Sequence, residues 1–250
     1  MDTSVYDKHA TLYLEYIDRE LRLTDSYINL LPSTFVDCLG DQIVNAHVCD
    51  LCCGEGYLGR YLLTRGACEV VGIDTSAALI EEAKRRSGVS ELSYRVDDAQ
   101  ELRLVPDSSF DVVVSQLAMM DVADHRKLFA AVRRVLVPGG PFVFSLLHPC
   151  FKGRPYHVKT APEYIFDEGG KPVAVTVRRY ASEGFFNSGG DGIRGRMGSY
   201  HRKFSTYIND LIAAGFTVER LEEPLSRADA TRAELFAEVP TVLVVAARAT

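Results

Sequence analysis

Val48 to Gly59 read V-C-D-L-C-C-G-E-G-Y-L-G. Small and apolar residues lead to Asp50. A tight turn holds Gly54 and Gly56, and an apolar-periodic run follows through Leu58, Tyr61, Leu62 and Leu63. That order describes a buried strand, a glycine turn and a helix start. Backbone without Cβ atoms lets a ligand approach closely, so the turn reads as the seat of a nucleotide-like group.

Outward from this turn the chain alternates strands and helices. Strands are expected at about 47–52, Glu69 to Ile73, Leu92 to Val96, Phe110 to Ser115 and Phe142 to Leu147, with helices over about 57–65, 77–86 and 122–136. The V-V-V run of the fourth strand suits burial on both faces. Repeated β-α-β units imply a doubly wound, mainly parallel sheet whose ligands bind outside the carboxyl ends of the strands. Before the first strand, helices are expected over residues 4–22 and from about 25 to 39, the second interrupted at Pro32. After the fifth strand, residues 149–200 are rich in Pro and Gly; a strand pair near 164–166 and 173–180 is expected, with a mobile stretch at 184–198. A helix over 202–214, a strand at Phe216 to Leu221, a short helix at 226–236 and a strand at Thr241 to Ala247 complete the pattern.

Composition sets limits on function. The chain has 250 residues, 47% hydrophobic and 25% charged, with net charge −6. This matches an ordinary soluble protein and gives no bulk attraction to nucleic acid. No apolar run reaches the roughly 18–20 residues of a membrane span, and the charged N-terminus does not read as a signal peptide, so a cytoplasmic location is expected. Six cysteines are present. Cys49 and Cys52 form a C-x-x-C, but a strand residue and a turn residue rarely converge on one ion, so no metal site is expected.

Three acids fall at strand ends. Asp50 precedes the glycines and can orient the loop. Asp74 ends the second strand, placed to accept both hydroxyls of a ribose. Asp98, beside the small Ala99, is placed to accept from the exocyclic amine of a purine. Together they describe a site for an adenosine ligand carrying positive charge.

These motifs resemble those of the class I S-adenosylmethionine-dependent methyltransferases. V-C-D-L-C-C-G-E-G-Y (48–57) resembles the family's first motif, with Cys52 where a glycine is usual. V-V-G-I-D-T-S (70–76), V-D-D-A-Q-E-L (96–102), S-F-D-V-V-V-S-Q (109–116) and R-V-L-V-P-G-G-P-F-V-F-S (134–145) resemble the ribose, adenine, fourth-strand and fifth-strand motifs. The match is close from Ala46 to Leu147 and looser from Lys203 to Ala247. The resemblance implies a Rossmann-like α/β fold with a seven-stranded sheet. It also implies S-adenosylmethionine as cofactor, S-adenosylhomocysteine as product, and contacts from Asp50, Cys52, Gly54, Gly56, Tyr57, Asp74, Thr75, Asp98, Ala99, Ser115 and Gln116. One domain is expected: a helical lid (1–40), a cofactor-binding core (41–148), an acceptor-side insertion (149–200) and a C-terminal helix with strands (201–250). Gly54, Gly56 and Gly59 also spell G-x-G-x-x-G with Asp74 at a compatible distance, so a nicotinamide-dependent reductase is the competing cofactor reading.

The acceptor is less legible. An Asn/Asp-Pro-Pro-Tyr-like motif, expected of methyltransferases acting on adenine or glutamine amino groups, is not seen after the fourth strand. A small-molecule acceptor of secondary metabolism is expected, with oxygen preferred as the acceptor atom and carbon close behind. His148 and His201 sit at the expected edge as candidate general bases; each also reads as a structural residue, His148 at a His-Pro turn and His201 at a helix start. Tyr13 and Tyr16 are placed to line the acceptor pocket. Between 151 and 205 ten basic residues face five acidic ones; Arg178 and Arg179 among them suit a carboxylate or diphosphate on the acceptor, or a solvated loop. A catalytically silent S-adenosylmethionine-binding module is the reading from another class, and turnover separates the two.

Overall fold

In a computed structural model, residues 4–23, 26–151, 164–170, 172–187, 191–225 and 238–250 are described. Three helices lead in: α1 (Ser4–Lys8), α2 (Ala10–Leu21) and α3 (Tyr27–Leu39). The core follows as β1 (His47–Leu51), α4 (Tyr57–Thr64), β2 (Glu69–Asp74), α5 (Ala77–Arg86), β3 (Leu92–Val96), β4 (Val112–Ser115), α6 (His125–Val135) and β5 (Pro141–Leu147). The insertion holds β6 (Tyr164–Phe166), β7 (Pro172–Val175), β8 (Gly184–Phe186), α7 (Ile193–Met197) and β9 (Ser199–His201). The chain returns through α8 (Phe204–Ala213), β10 (Phe216–Glu222) and β11 (Val242–Ala249).

Seven strands form one sheet in the order β10-β11-β5-β4-β1-β2-β3. The first five pair in parallel, and β11 runs antiparallel to both β5 and β10. Val112, Val113 and Val114 are fully buried, each worth about 1.5–3 kcal/mol of removed apolar surface. Strand order reverses between β1 and β4, so the crevice outside their carboxyl ends is where an open α/β sheet takes its ligand. The loop of Cys52–Gly56 and the step Ser115–Gln116 meet at that crevice.

Local chemistry sets the helix starts. Ser76 caps α5, its hydroxyl accepting from Leu79 N at 3.2 Å, and Asp124 caps α6 by accepting from the amides of Arg126 and Lys127. Several boundaries differ from expectation. The first helix is two, broken at His9, whose backbone leaves the helical region. Pro32 does not interrupt α3 but lies inside it. Phe110 makes only an isolated bridge with Leu136, so β4 starts at Val112. Parts of 184–198 are ordered elements: β8 pairs with β9, and Gly198, at φ 73°, passes so close to the Phe185 ring that a Cβ would lie 2.4 Å from it. The helix expected at 226–236 lies outside the described residues. Among the described residues no helix is long and apolar enough to cross a membrane.

Candidate functional site

The glycine turn is built by its own backbone. Cys52 adopts φ 58° and Gly54 φ 55°. Left-handed backbone is the conformation glycine adopts without cost, which explains why a glycine is usual at position 52; Cys52 holds the same conformation with a side chain. Asp50 is buried, and its Oδ2 accepts from Gly59 N, in the first turn of α4, at 3.1 Å. It therefore orients the turn against the helix. Burial pushes its carboxyl up to about 7 against the pull of that amide, and the carboxylates of Asp74 and Glu55 push it the same way.

Asp74 is held from two sides. Its Oδ2 accepts from Gly54 N and its Oδ1 from Ser76 N, both at 2.9 Å. The two oxygens offer about four acceptor positions in all, so room for a ribose hydroxyl remains. Thr75 adds a backbone bond to the same carboxylate. Asp98 is clamped by Gln100, whose amide N and side-chain Nε2 both donate to it, and Gln100 Oε1 in turn accepts from Asp124 N. Ala99 is buried next to it. The half-buried Cys52 thiol is pushed up by desolvation first, then by the carboxylates of Asp74, Asp121, Asp50 and Asp98. Four acids thus surround one small side chain at the crevice, a field that favours a cationic ligand. S-adenosylmethionine, a sulfonium with an ammonium group, fits that field. Two buried acceptors support the fit: Gln116 Oε1 and Ser115 Oγ have no hydrogen-bonding partner in the structure.

The two glycines make room for side chains of the chain itself. A Cβ on Gly54 would lie 2.7 Å from Tyr13 Oη, and one on Gly56 would lie 2.2 Å from Tyr94 Oη. Gly56 therefore makes room for a tyrosine of β3, and Gly54 opens toward the helices before β1. Tyr13 of α2 covers it, and burial raises its phenol well above the usual value, with Asp74 adding to the push. Tyr57 is pushed up by burial and interacts with Tyr13 and Gln116. Tyr16 instead packs under the exposed guanidinium of Arg19, 5.3 Å from its ring centre.

The helices before β1 are fastened to the core by charge. Asp7 accepts from Ser76 Oγ at 2.6 Å and Ala78 N at 3.1 Å, and Asp18 pairs with Arg86 at 2.7 Å. Arg86 also lies 3.3 Å from Glu55, which is fully buried in the glycine turn and pairs with Arg60 at 2.6 Å. Sequence reasoning missed Glu55, Tyr6 and Asp121. Tyr6, seven residues before Tyr13 and 5.7 Å from it ring to ring, bonds Asp121, which pairs with Arg194 of the insertion. The repeat of tyrosines along the single helix expected over 4–22 was the available signal; the partners at 121 and 194 had none. Arg202 is buried, donates to the carbonyls of Val122 and Ala123 at 2.8 and 2.7 Å, and sits 4.8 Å over the Tyr200 ring. It shapes the loop that carries Asp121.

The histidines behave differently from each other. His148 Nδ1 accepts from Cys150 N at 3.2 Å, so Nε2 carries the proton toward Glu223 Oε1 at 2.7 Å. Both nitrogens are engaged, and burial lowers its pKa against the pull of Glu223. His201 is buried; its Nε2 donates to Tyr180 O at 2.8 Å, which leaves the basic lone pair on Nδ1. Arg178 and Arg179 are exposed. Among the described residues no His, Cys, Asp or Glu cluster could hold a metal ion.

A sequence family described as a methyltransferase domain matches residues 48–140. The chain is 30% identical to an S-adenosylmethionine-dependent methyltransferase of Mesorhizobium loti of known crystal structure. The match covers 86% of this chain and 96% of that one, with a TM-score of 0.72. It is 33% identical over 108 residues to the demethylmenaquinone methyltransferase of Deinococcus radiodurans, covering 42% of this chain and 45% of the relative. It is 29% identical over 141 residues to the ubiquinone biosynthesis O-methyltransferase of Neisseria meningitidis, covering 55% of this chain and 58% of the relative. The chain thus spans about half the length of these last two.

Proposed function

The chain belongs to the class I S-adenosylmethionine-dependent methyltransferases, and from that premise we propose that it methylates an oxygen of a small-molecule acceptor held between the helices before β1 and the insertion. When bound, S-adenosylmethionine supplies an electrophilic methyl on a cationic sulfur. The chain's own residues hold and surround it: Asp74 and Gly54 at the ribose, Asp98 and Ala99 at the adenine, and Ser115, Gln116 and Tyr57 beyond the carboxyl end of β4. The acids around Cys52 give the charge that matches the cofactor. Tyr13 and Tyr6 close the lid side and keep water from the transfer.

The observation that carries the choice of oxygen is the His201 tautomer. Tyr180 O takes the Nε2 proton, so Nδ1 is the nitrogen able to remove a proton from an acceptor hydroxyl. The name of the Neisseria relative supports this choice. His148, with both nitrogens engaged, instead holds the end of β5 against Glu223. Arg178 and Arg179, both exposed, would meet a carboxylate or diphosphate on the acceptor only at its outer end. A carbon acceptor is the second reading, favoured by the tyrosine faces of Tyr6, Tyr13 and Tyr57 over the turn.

Transfer of labelled methyl from S-adenosylmethionine to a panel of phenols and alcohols tests the proposal. His201→Asn is expected to lower kcat by about 10²–10⁴-fold and to abolish the rise of rate with pH on the acidic side. Full activity with an unaltered profile would transfer the choice to carbon or to another base.

A further inference from the structure

Helix α3 carries a proline where a helix has no place for one. Pro32 has no N–H, so the carbonyl four residues earlier, Ile28 O, loses its helical donor. Ile28 is buried, and a buried carbonyl without a donor is costly. The donor comes from 88 residues away: Gln116 Nε2 donates to Ile28 O at 3.4 Å.

That bond decides which way the Gln116 amide points. A carbonyl can only accept, so the nitrogen faces α3 and the oxygen faces the other way. The same side chain interacts with the Tyr57 hydroxyl at the start of α4. Gln116 Oε1 is then left buried at the carboxyl end of β4, with no hydrogen-bonding partner in the structure. It lies at the crevice where β1 and β4 diverge.

We propose that Pro32 is a positioning residue for the cofactor site: by freeing Ile28 O it locks the Gln116 amide so that Oε1 accepts a hydrogen bond from the ammonium group of the cofactor's amino-acid end. The inference rests on the assignment of Gln116 to the cofactor site. A proline in the helix interior costs stability, and the return is an oriented acceptor at the ligand. In Pro32→Ala the new amide bonds Ile28 O within the helix, and Gln116 is released.

Calorimetry on the intact chain separates the possibilities, with S-adenosylhomocysteine and 5′-methylthioadenosine as the two probes; the second lacks the amino-acid end. Pro32→Ala is expected to weaken S-adenosylhomocysteine by about tenfold, the loss of one hydrogen bond to a charged group. Methylthioadenosine affinity should be unchanged and the melting temperature should not fall. Gln116→Leu should weaken S-adenosylhomocysteine similarly, and adding Pro32→Ala to it should weaken it no further, because the proline acts through Gln116. Unchanged S-adenosylhomocysteine affinity in Pro32→Ala would overturn the proposal. So would equal weakening of both probes, or a full second loss in the double variant. Failure of the unmodified chain to bind S-adenosylhomocysteine would instead remove the cofactor assignment beneath it.

Discussion

Cys52 and Asp50 show how single side chains fit a strained turn. Cys52 holds a left-handed backbone that glycine adopts freely. Cys52→Val, with a branched Cβ in that conformation, is expected to lose about 1–3 kcal/mol, while Cys52→Gly stays near neutral because relief of strain and added chain entropy offset each other. Urea melts of the two variants check this, and equal stability of all three proteins would show the turn to be unstrained. Asp50 has its carboxyl pushed up to about 7 in the fold, above the ordinary carboxylate range. Between these values the folded chain holds a proton that the unfolded chain has released. Stability from this group is therefore full below about pH 4 and falls as pH rises toward 7. Asp50→Asn keeps an oxygen for Gly59 N and should flatten that part of the stability–pH curve; an unaltered slope would place the titration elsewhere.

At the scale of elements, a buried guanidinium just past the insertion helps to fasten it to the core. Arg202 follows β9 and grips the loop before α6 through two short bonds to carbonyls, with Tyr200 and Tyr207 on its faces. Lysine cannot reproduce a planar fork that reaches several carbonyls at once. Arg202→Ala is expected to cost about 3 kcal/mol, because the carbonyls of Val122 and Ala123 lose their donors, and Arg202→Lys to recover only part of it. Chemical denaturation measures both. Identical losses in the two variants would show that packing, and not the hydrogen bonds, is what Arg202 supplies. Helix α3 makes the complementary point: Pro32 reads as a helix breaker in isolation, yet the helix continues through it, and a side chain just past β4 satisfies the carbonyl it frees.

Across the whole molecule the site is assembled from distant segments. Gly54 and Asp74 lie 20 residues apart and are joined by parallel pairing of β1 with β2. Asp74→Ala should weaken S-adenosylhomocysteine by about 1–3 kcal/mol, the value of a lost hydrogen bond with a charged partner; an unchanged Kd in calorimetry would take the ribose contact from Asp74. The cofactor half was legible because its chemistry is written locally. Asp50 and Asp74 fall in the last residues of β1 and β2 and Asp98 just after β3, and in a parallel sheet every strand delivers its last residue to the same edge, so position along the chain translates directly into position in space. The side made by the helices before β1 was not legible. Tyr6, Asp121 and Arg194 are far apart in the chain, and no period or motif couples them; only packing of three separate segments makes them meet. The same holds for the glycines: their spacing announced a close approach at the turn, but whether a ligand, Tyr13 or Tyr94 comes close depends on where helices and strands from elsewhere place their side chains. Residue order alone therefore determined the sheet, its ligand edge and the methyl donor. Tertiary packing decided which atoms face that donor, because hydrogen bonds and burial act across space between residues that local sequence does not relate.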